Sequence, residues 1–562
     1  MSRHVRWQAV IAVLGLVLVG ALLSYATYTY TTEEVPARGG VFIEGVVGNP
    51  QYINPVICQF NEVDRDLCAL VFDGLLQFDE HGNLQPDLAE SWQASPAGDV
   101  FTFTLRPDAR WHDGLRVTAD DVIFTAQLMQ DPNLPVLPDL ATLWRTVIAE
   151  KVDERTVVFK LGSPYAPFPD YTTIRWFGVL PKHYWQRYSP RELTRAQLNT
   201  QPIGSGPFRV TEVDSQHVRL EPVPAAFSHQ PMLEALVFRF FPDYESVLAA
   251  ADRGEIHGVS RVLPELLAQA EAMPNLQLFT SPIPGYSLVL FNLTSPNAPY
   301  LSEQKVRQAL AYGLDRERML DDIVPGAGML ANSPILPGTW AYNPDTPSYA
   351  YDPSRARALL DEAGWIDANG DGVREKDGVS MEFILHVDDS SRSRLIARAI
   401  AEDWAAIGVR VVPQPIALSG LVRDILAPRN FAAAIVNWEY VGDPDPYPLW
   451  HSTQVSPNGQ NYSGWANRQA DILMEQARIT GDRDLRRQLY GEFQTLFAQD
   501  LPGILLSYPL YTYAVTTAVK DIEIGLMNQP ADRFRTFADW YTQTRKITHT
   551  ERRTLKLDNT PD

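Results

Sequence analysis

The stretch RPDARWHDGLRVTADDVIFT, Arg106 to Thr125, runs from a loop through a tight turn into a helix. Asp113-Gly114 has the chemistry of a tight turn, Asp for its side-chain hydrogen bonds and Gly for its backbone freedom. Trp111 and Val122 are the residues expected in the core. Thr118 stands at a helix N-cap position, with Asp120 and Asp121 in the first turn, where the helix dipole favours anions. A helix is therefore expected over Thr118–Met129. Just upstream, Phe101 to Leu105 reads FTFTL, the alternation of a strand with one buried face.

The same reading extends in both directions. Gly39 to Val47 is a short apolar strand, followed by the turn-rich loop Asn49 to Val56. Val63, Leu67, Leu70 and Val71 recur at helical spacing within Asn61–Leu76. Val157–Leu161 and Val218–Val223 are further strands. In the second half, Ser302 is the expected cap of a helix bearing Val306, Ala309, Leu310 and Leu314. Asp352-Pro353 opens another helix that Gly364 closes. A helix from about Arg392 to Ile407 stops at Gly408, and Val409–Val412 continues as a strand. Strands and helices alternate without a repeat, which predicts a mixed α/β protein.

At 562 residues, with 45% hydrophobic and 21% charged residues, the chain has ordinary globular composition and too much length for one domain. Its net charge of −20 argues against nucleic acid, which needs clustered Lys and Arg. Arg3, His4 and Arg6 precede the apolar run Ala9–Leu23, and Ser24-Tyr25-Ala26 offers a small-x-small cleavage site. Residues 1–26 thus read as a signal peptide or a membrane anchor, and 27–38 as a linker; either reading places the rest outside the cytoplasm. An oxidising compartment permits Cys58 and Cys68 to pair, and closing so short a loop contributes roughly 2–3 kcal/mol. The alternative is two buried free thiols; pairing is the expectation.

Catalytic signatures are lacking. There is no G-x-S-x-G elbow, no H-E-x-x-H pair and no Walker-type loop. Ser302-Glu303-Gln304-Lys305 fits S-x-x-K but without its companion motifs. The ten histidines are scattered singly, so no zinc site is indicated. One metal-like stretch survives in DANGDGVREKDG: Asp367, Asn369 and Asp371 fall at loop positions 1, 3 and 5 of a calcium loop, with Gly372 at the sharp turn. Position 12 is Gly378 where a Glu belongs, and the alternative is a plain polar turn. A calcium here would be structural.

Several segments together resemble the family 5 extracellular solute-binding proteins. The segments are Arg106–Thr125, VFDGLLQFDEHGNLQPDLAESW before it, PIGSGPF (Pro202–Phe208), RGEIHG (Arg253–Gly258), FNLTSPNAPYLSEQKVRQALAYGLDRERM (Phe291–Met319), WEYVGDPDPYPLWHS (Trp438–Ser452) and NYSGWAN (Asn461–Asn467). The resemblance runs from about Gly40 to Tyr541. It implies a two-lobed periplasmic-binding-protein-like fold of class II with an extra inserted subdomain and a ligand cleft between lobes. Lobe I would take 39–79, 203–290 and 510–541, the insertion 80–202 and lobe II 291–509, leaving a polar tail, 542–562. It also implies a monomeric, non-catalytic binder that delivers peptides to the permease subunits of an ABC importer. Oligosaccharide or another solute is the alternative ligand, and a membrane-tethered sensor or exported hydrolase the alternative role.

In peptide-binding members an Asp beside the W-x-x-x-x-D-P-D segment holds the ligand's amino terminus. Aligned on Asp443-Pro444-Asp445, that position is Tyr440 here; Glu439 or Asp443 is the candidate substitute. Trp438 and Tyr440 would wall an aromatic slot or pack in the core, Trp438 being the leading single candidate. Tyr52, Asn54, Tyr286 and Asn292 complete the expected cleft residues. Gly204 and Gly206 are expected to serve close backbone approach or a positive φ.

Overall fold

A computed structural model describes residues 3–195, 199–223, 231–440 and 442–548. Its centre is a twelve-stranded sheet that runs through both lobes. The strands, in chain order, are β1 (Val41–Val47), β2 (Phe208–Val213), β3 (His217–Pro222), β4 (Ala235–Phe241), β5 (Gly258–Val262) and β6 (Leu276–Pro282). They continue as β7 (Gly285–Phe291), β8 (Gly328–Leu330), β9 (Glu382–Asp388), β10 (Arg410–Ile416), β11 (Ala433–Glu439) and β12 (Gly503–Thr516). The spatial order is β10-β9-β11-β7-β12-β5-β1-β4-β3-β2, with β6 and β8 also paired to β12.

The fourteen-residue β12 belongs to both halves. Its first part pairs with β7 through Ser287↔Ser507 to Leu290↔Gly503, and its second part pairs with β6 from Pro282↔Leu510 to Leu276↔Thr516. Separate cores form on each side. Phe42, Leu67, Phe103, Trp111, Val122 and Trp540 are buried together in the first half, while Val289, Leu310, Leu385 and Trp404 share another in the second.

The inserted part carries its own antiparallel sheet of four strands, Ala89–Ala94, Val100–Leu105, Thr156–Lys160 and Ile148–Lys151. Phe101, Phe103 and Leu105 point inward, as the alternation requires. Trp144 stacks on Phe177 at 4.4 Å to close that core. The opening stretch behaves as its chemistry dictates. The Asp121 carboxylate accepts from Thr118 N at 2.8 Å and Thr118 Oγ1 at 3.1 Å, and a helix follows over Ala119–Gln130. Gly114 turns at φ 88°. Gly204 is needed for close approach, since a Cβ there would lie 1.8 Å from Val71 O.

One charged group is sealed inside the first lobe. Arg533 bridges the carboxylates of Glu44 and Asp66, all three side chains being at most 2% exposed. Tyr513 Oη donates to Glu44 at 2.9 Å. One guanidinium serves two acids, so burial pushes Glu44 up to about 7 despite the pull of Arg533.

Three expectations change. Ser302 does not cap a helix: its hydroxyl bonds back to Pro299 O within a 3₁₀ turn, and the helix Gln304–Tyr312 starts behind Glu303. The stretch read as a linker is a helix to Thr31 and then a strand, Thr32–Ala37. That strand pairs antiparallel with Gln543–Thr548, so the start of the polar tail is also a strand; residues 549–562 lie outside the described ones. Apolar side chains of the N-terminal helix, Ile11, Leu14 and Leu18 among them, are exposed. Among the described residues, no helix is long and apolar enough to cross a membrane.

Candidate ligand cleft

The two halves of the sheet are joined where β6 passes into β7 and where β12 passes Ser507–Leu510. The two crossings are bonded side by side, Ile283 N donating to Pro509 O at 3.1 Å. Gly285 begins β7 at φ 153°, with no room for a side chain: a Cβ would lie 2.5 Å from Trp438 O. The end of β11 lies beside this crossing, with Glu439 opposite Gly285 and Trp438 opposite Tyr286. Alternation therefore sends Trp438 and Glu439 to opposite faces.

Trp438 goes to the core face. It is half-buried, edge-on to Tyr286 at 5.8 Å and to Trp450 at 5.2 Å. The hydroxyl of Tyr286 is taken, accepting from Trp450 Nε1 at 2.9 Å. Tyr440 spans from the crossing into the second lobe: its N donates to Pro284 O and its hydroxyl accepts from Leu336 N at 3.1 Å. The aromatic group thus braces the wall. Glu439, on the other face, is exposed.

Of the two carboxylates named as substitutes for the missing Asp, the structure separates one from the other. Asp443 is 6% exposed and held by Arg486 at 2.7 Å, with Tyr490 Oη also donating to it. Arg486 in turn donates to Ala477 O and lies over Trp340. Asp445 pairs similarly with Arg478 at 2.9 Å. These two pairs fasten the loop after β11 rather than leaving an acid free.

On the first-lobe side, Tyr52 is half-buried and its N donates to Asp64, which burial pushes up to about 6. Asn54 is fully buried; its Oδ1 accepts from Val56 N, and its Nδ2 has no partner. The turn that follows carries Cys58. Both cysteines are buried free thiols, in place of the expected disulfide. Cys58 Sγ donates to Pro55 O at 3.6 Å, and burial with Cys58 nearby pushes the Cys68 thiol well up. Phe60, 61% exposed, ends the turn.

Three arginines stand on this side: Arg65, whose Nη1 donates to Gln59 O; Arg261, over the Tyr511 ring; and Arg175, over the Trp176 ring. The charge of Glu439 reaches both Arg261 and Arg175, raising their hold on protons. Arg175 nonetheless falls to about 10, because burial and the neighbouring Arg65 oppose its charge. Facing walls therefore carry opposite charge. Arg175 and Arg261 escaped the sequence reading because a single Arg between apolar residues carries no motif.

The inserted part meets the second lobe directly. Ala166 N donates to Arg478 O at 2.6 Å, and the Arg478 guanidinium lies over Tyr165 at 4.9 Å. Gly442 turns at φ 81° against Asp170, where a Cβ would sit 3.0 Å from Oδ2. Burial and the adjacent Asp443 push Asp170 well above the usual carboxylate range. Arg392 and Glu265 bridge the lobes elsewhere at 3.0 Å.

The remaining candidates have local duties. Asn292 is buried, its Nδ2 donating to Arg429 O and Phe431 O and its Oδ1 accepting from Thr294. In the calcium-like loop, Asp367 accepts from Gly370 N and Gly372 N, Asn369 from Asp371 N, and Asp371 from Val373 N. These oxygens close an exposed turn, the arrangement that Asp, Asn and Gly form unaided. Among the described residues, Glu212, Asp214 and His217 on the β2–β3 hairpin lie near enough to share an ion. His217 is instead flanked by the two acids, at 3.5 and 3.1 Å from its two ring nitrogens.

The family model for "Bacterial extracellular solute-binding proteins, family 5 Middle" matches residues 83–460. The oligopeptide-binding protein AppA of Bacillus subtilis is 30% identical over 489 residues, covering 84% of this chain and 87% of that one. The dipeptide-binding protein of Escherichia coli is 27% identical over 84% of this chain and 90% of its own. The solved structure of the Bacillus AppA with a nonapeptide superposes with a TM-score of 0.67 at 28% identity, covering 90% of this chain and 99% of that chain. HbpA2 of Haemophilus parasuis superposes at 0.77 with 26% identity, over 87% and 98%.

Proposed function

The chain belongs to the bacterial extracellular solute-binding proteins of family 5, and from that premise we propose that it captures a peptide between its lobes and delivers it to the permease of an ABC importer. The observation that carries the peptide reading is the opposed charge of the cleft walls. Glu439 is exposed on the second lobe, and Arg261 and Arg175 face it from the other side. A peptide main chain brings an ammonium and a carboxylate, and contacts to both walls draw the lobes together. Glu439 takes the ammonium in place of the acid that Tyr440 replaces. Charge-assisted bonds of this kind are the strong ones when water is excluded. The role is binding, outside the cytoplasm, with the N-terminal helix as export signal or anchor.

A thermal-shift screen with mixed di- to hexapeptides, nickel chelates and oligosaccharides tests the reading. A ligand at 100 times its Kd adds about 2.7 kcal/mol to stability. Peptides are expected to raise Tm, and Glu439→Gln to weaken peptide binding by about 1.5–3 kcal/mol, the worth of a hydrogen bond to a charged group. A shift with oligosaccharides alone would refute the peptide ligand and keep the fold.

A further inference from the structure

The first lobe contains a cavity of about 310 Å³, within the size range of small-ligand pockets. Its walls come from the end of the helix Glu62–Val71, the segment Thr173–Arg175 of the inserted part, and the C-terminal stretch Asn528–Asp539. None of its lining residues comes from the second lobe, so filling it requires no contact across the cleft. Phe72, Phe78, Phe208, Phe534 and Phe537 supply apolar wall.

Polar atoms without partners face the same space. Arg175 Nη1 donates to Gln529 Oε1 at 3.1 Å, but its buried Nε has no partner. Asn528 is 7% exposed; its N donates to Asp532 while its Nδ2 has no partner. Asp73 is 9% exposed; Ser205 Oγ receives its backbone N–H, but its Oδ2 has no partner. Asp87 beside it is occupied by Gly74 N. Asp73 and Arg175 flank one chain crossing, Gly74 being pressed against Ile174 N. Two donors and one acid are thus left unmade, and buried groups in that state cost free energy until something bonds them.

We propose that this cavity is a second solute site, for a free α-amino acid with an apolar side chain, whose carboxylate binds Arg175 and Asn528 and whose ammonium binds Asp73. The three open polar atoms match a zwitterion, and the phenylalanines match an apolar side chain. Neither charge would suffice alone: an anion would leave Asp73 unpaired, and a cation would leave Arg175 unpaired. The site is independent of whatever occupies the cleft.

Titration calorimetry of the full chain with L-leucine, L-leucinamide and 4-methylpentanoate tests this. L-leucine is expected to bind, and each analogue, lacking one charge, roughly tenfold or more weakly. Asp73→Asn and Arg175→Gln are expected to weaken L-leucine by a similar factor, and Phe78→Trp to block it by filling the cavity. Absence of L-leucine heat at millimolar concentration would overturn the proposal, as would equal binding of the analogues. L-leucine binding unchanged in Asp73→Asn and Arg175→Gln would also overturn it, placing the amino acid elsewhere. Should the variants fail to fold, the analogue series on the unaltered chain decides.

Discussion

Two buried arginines, each facing a pair of acids, show how position decides what an ion pair does. Arg533 lies inside the first lobe with Glu44 and Asp66 both in contact. Arg486 lies near the seam between the second lobe and the inserted part, where it holds Asp443 while Asp170 stands on the other side. In the first group each acid touches the guanidinium, and the set persists whatever the lobes do. In the second, Asp170 and Asp443 come from parts that meet across the cleft, so their repulsion exists only while those parts touch. The first group fixes a lobe; the second sets how readily two parts separate.

Breaking the first group should have the largest effect. Arg533→Leu leaves two buried carboxylates without a cation and should cost about 3–5 kcal/mol in urea unfolding. Asp443→Asn should cost less, about 1–2 kcal/mol, because losing the pair with Arg486 is offset by relief of Asp170. A loss equal to that of Arg533→Leu would erase the distinction. Asp170→Asn should have the smallest effect and the opposite sign, stabilising by up to about 1 kcal/mol, since it removes a repelled buried acid.

The pH dependence sharpens the same contrast. Glu44 is raised from 4.5 to about 7, so the folded chain keeps a proton that the unfolded chain has released. The stability this gives is full below pH 4.5 and lost as pH rises through about 7. Urea midpoints across that range should fall with rising pH, and Glu44→Gln should flatten the slope. Asp170 is raised too, and acts with the same sign at the seam.

What could be read from the sequence was local. The Asp113-Gly114 turn, the Thr118–Asp121 cap and the Asp352-Pro353 helix start are each decided within a few residues, and each formed as expected. Thr32–Ala37 and Gln543–Thr548 escaped because neither alternates apolar and polar residues; each becomes a strand through a partner at the far end of the chain. In the cleft, the segment Trp438 to Asp443 was found, but the division of labour within it was not. Which face Trp438 takes depends on the register of β11 against β7, and whether Asp443 is free depends on Arg486, far downstream. Arg175 and Asn528 acquire meaning only because the fold sets them around one cavity.

The clasp between Thr32–Ala37 and Gln543–Thr548 has a mechanical consequence. Six residues in extended form reach about 20 Å, and a second strand bonded alongside makes that reach a stiff stem. Whatever holds the N-terminal helix is thereby kept at a set stand-off from the first lobe, which becomes the fixed end of the molecule. The second lobe, free of the stem, is left as the swinging end.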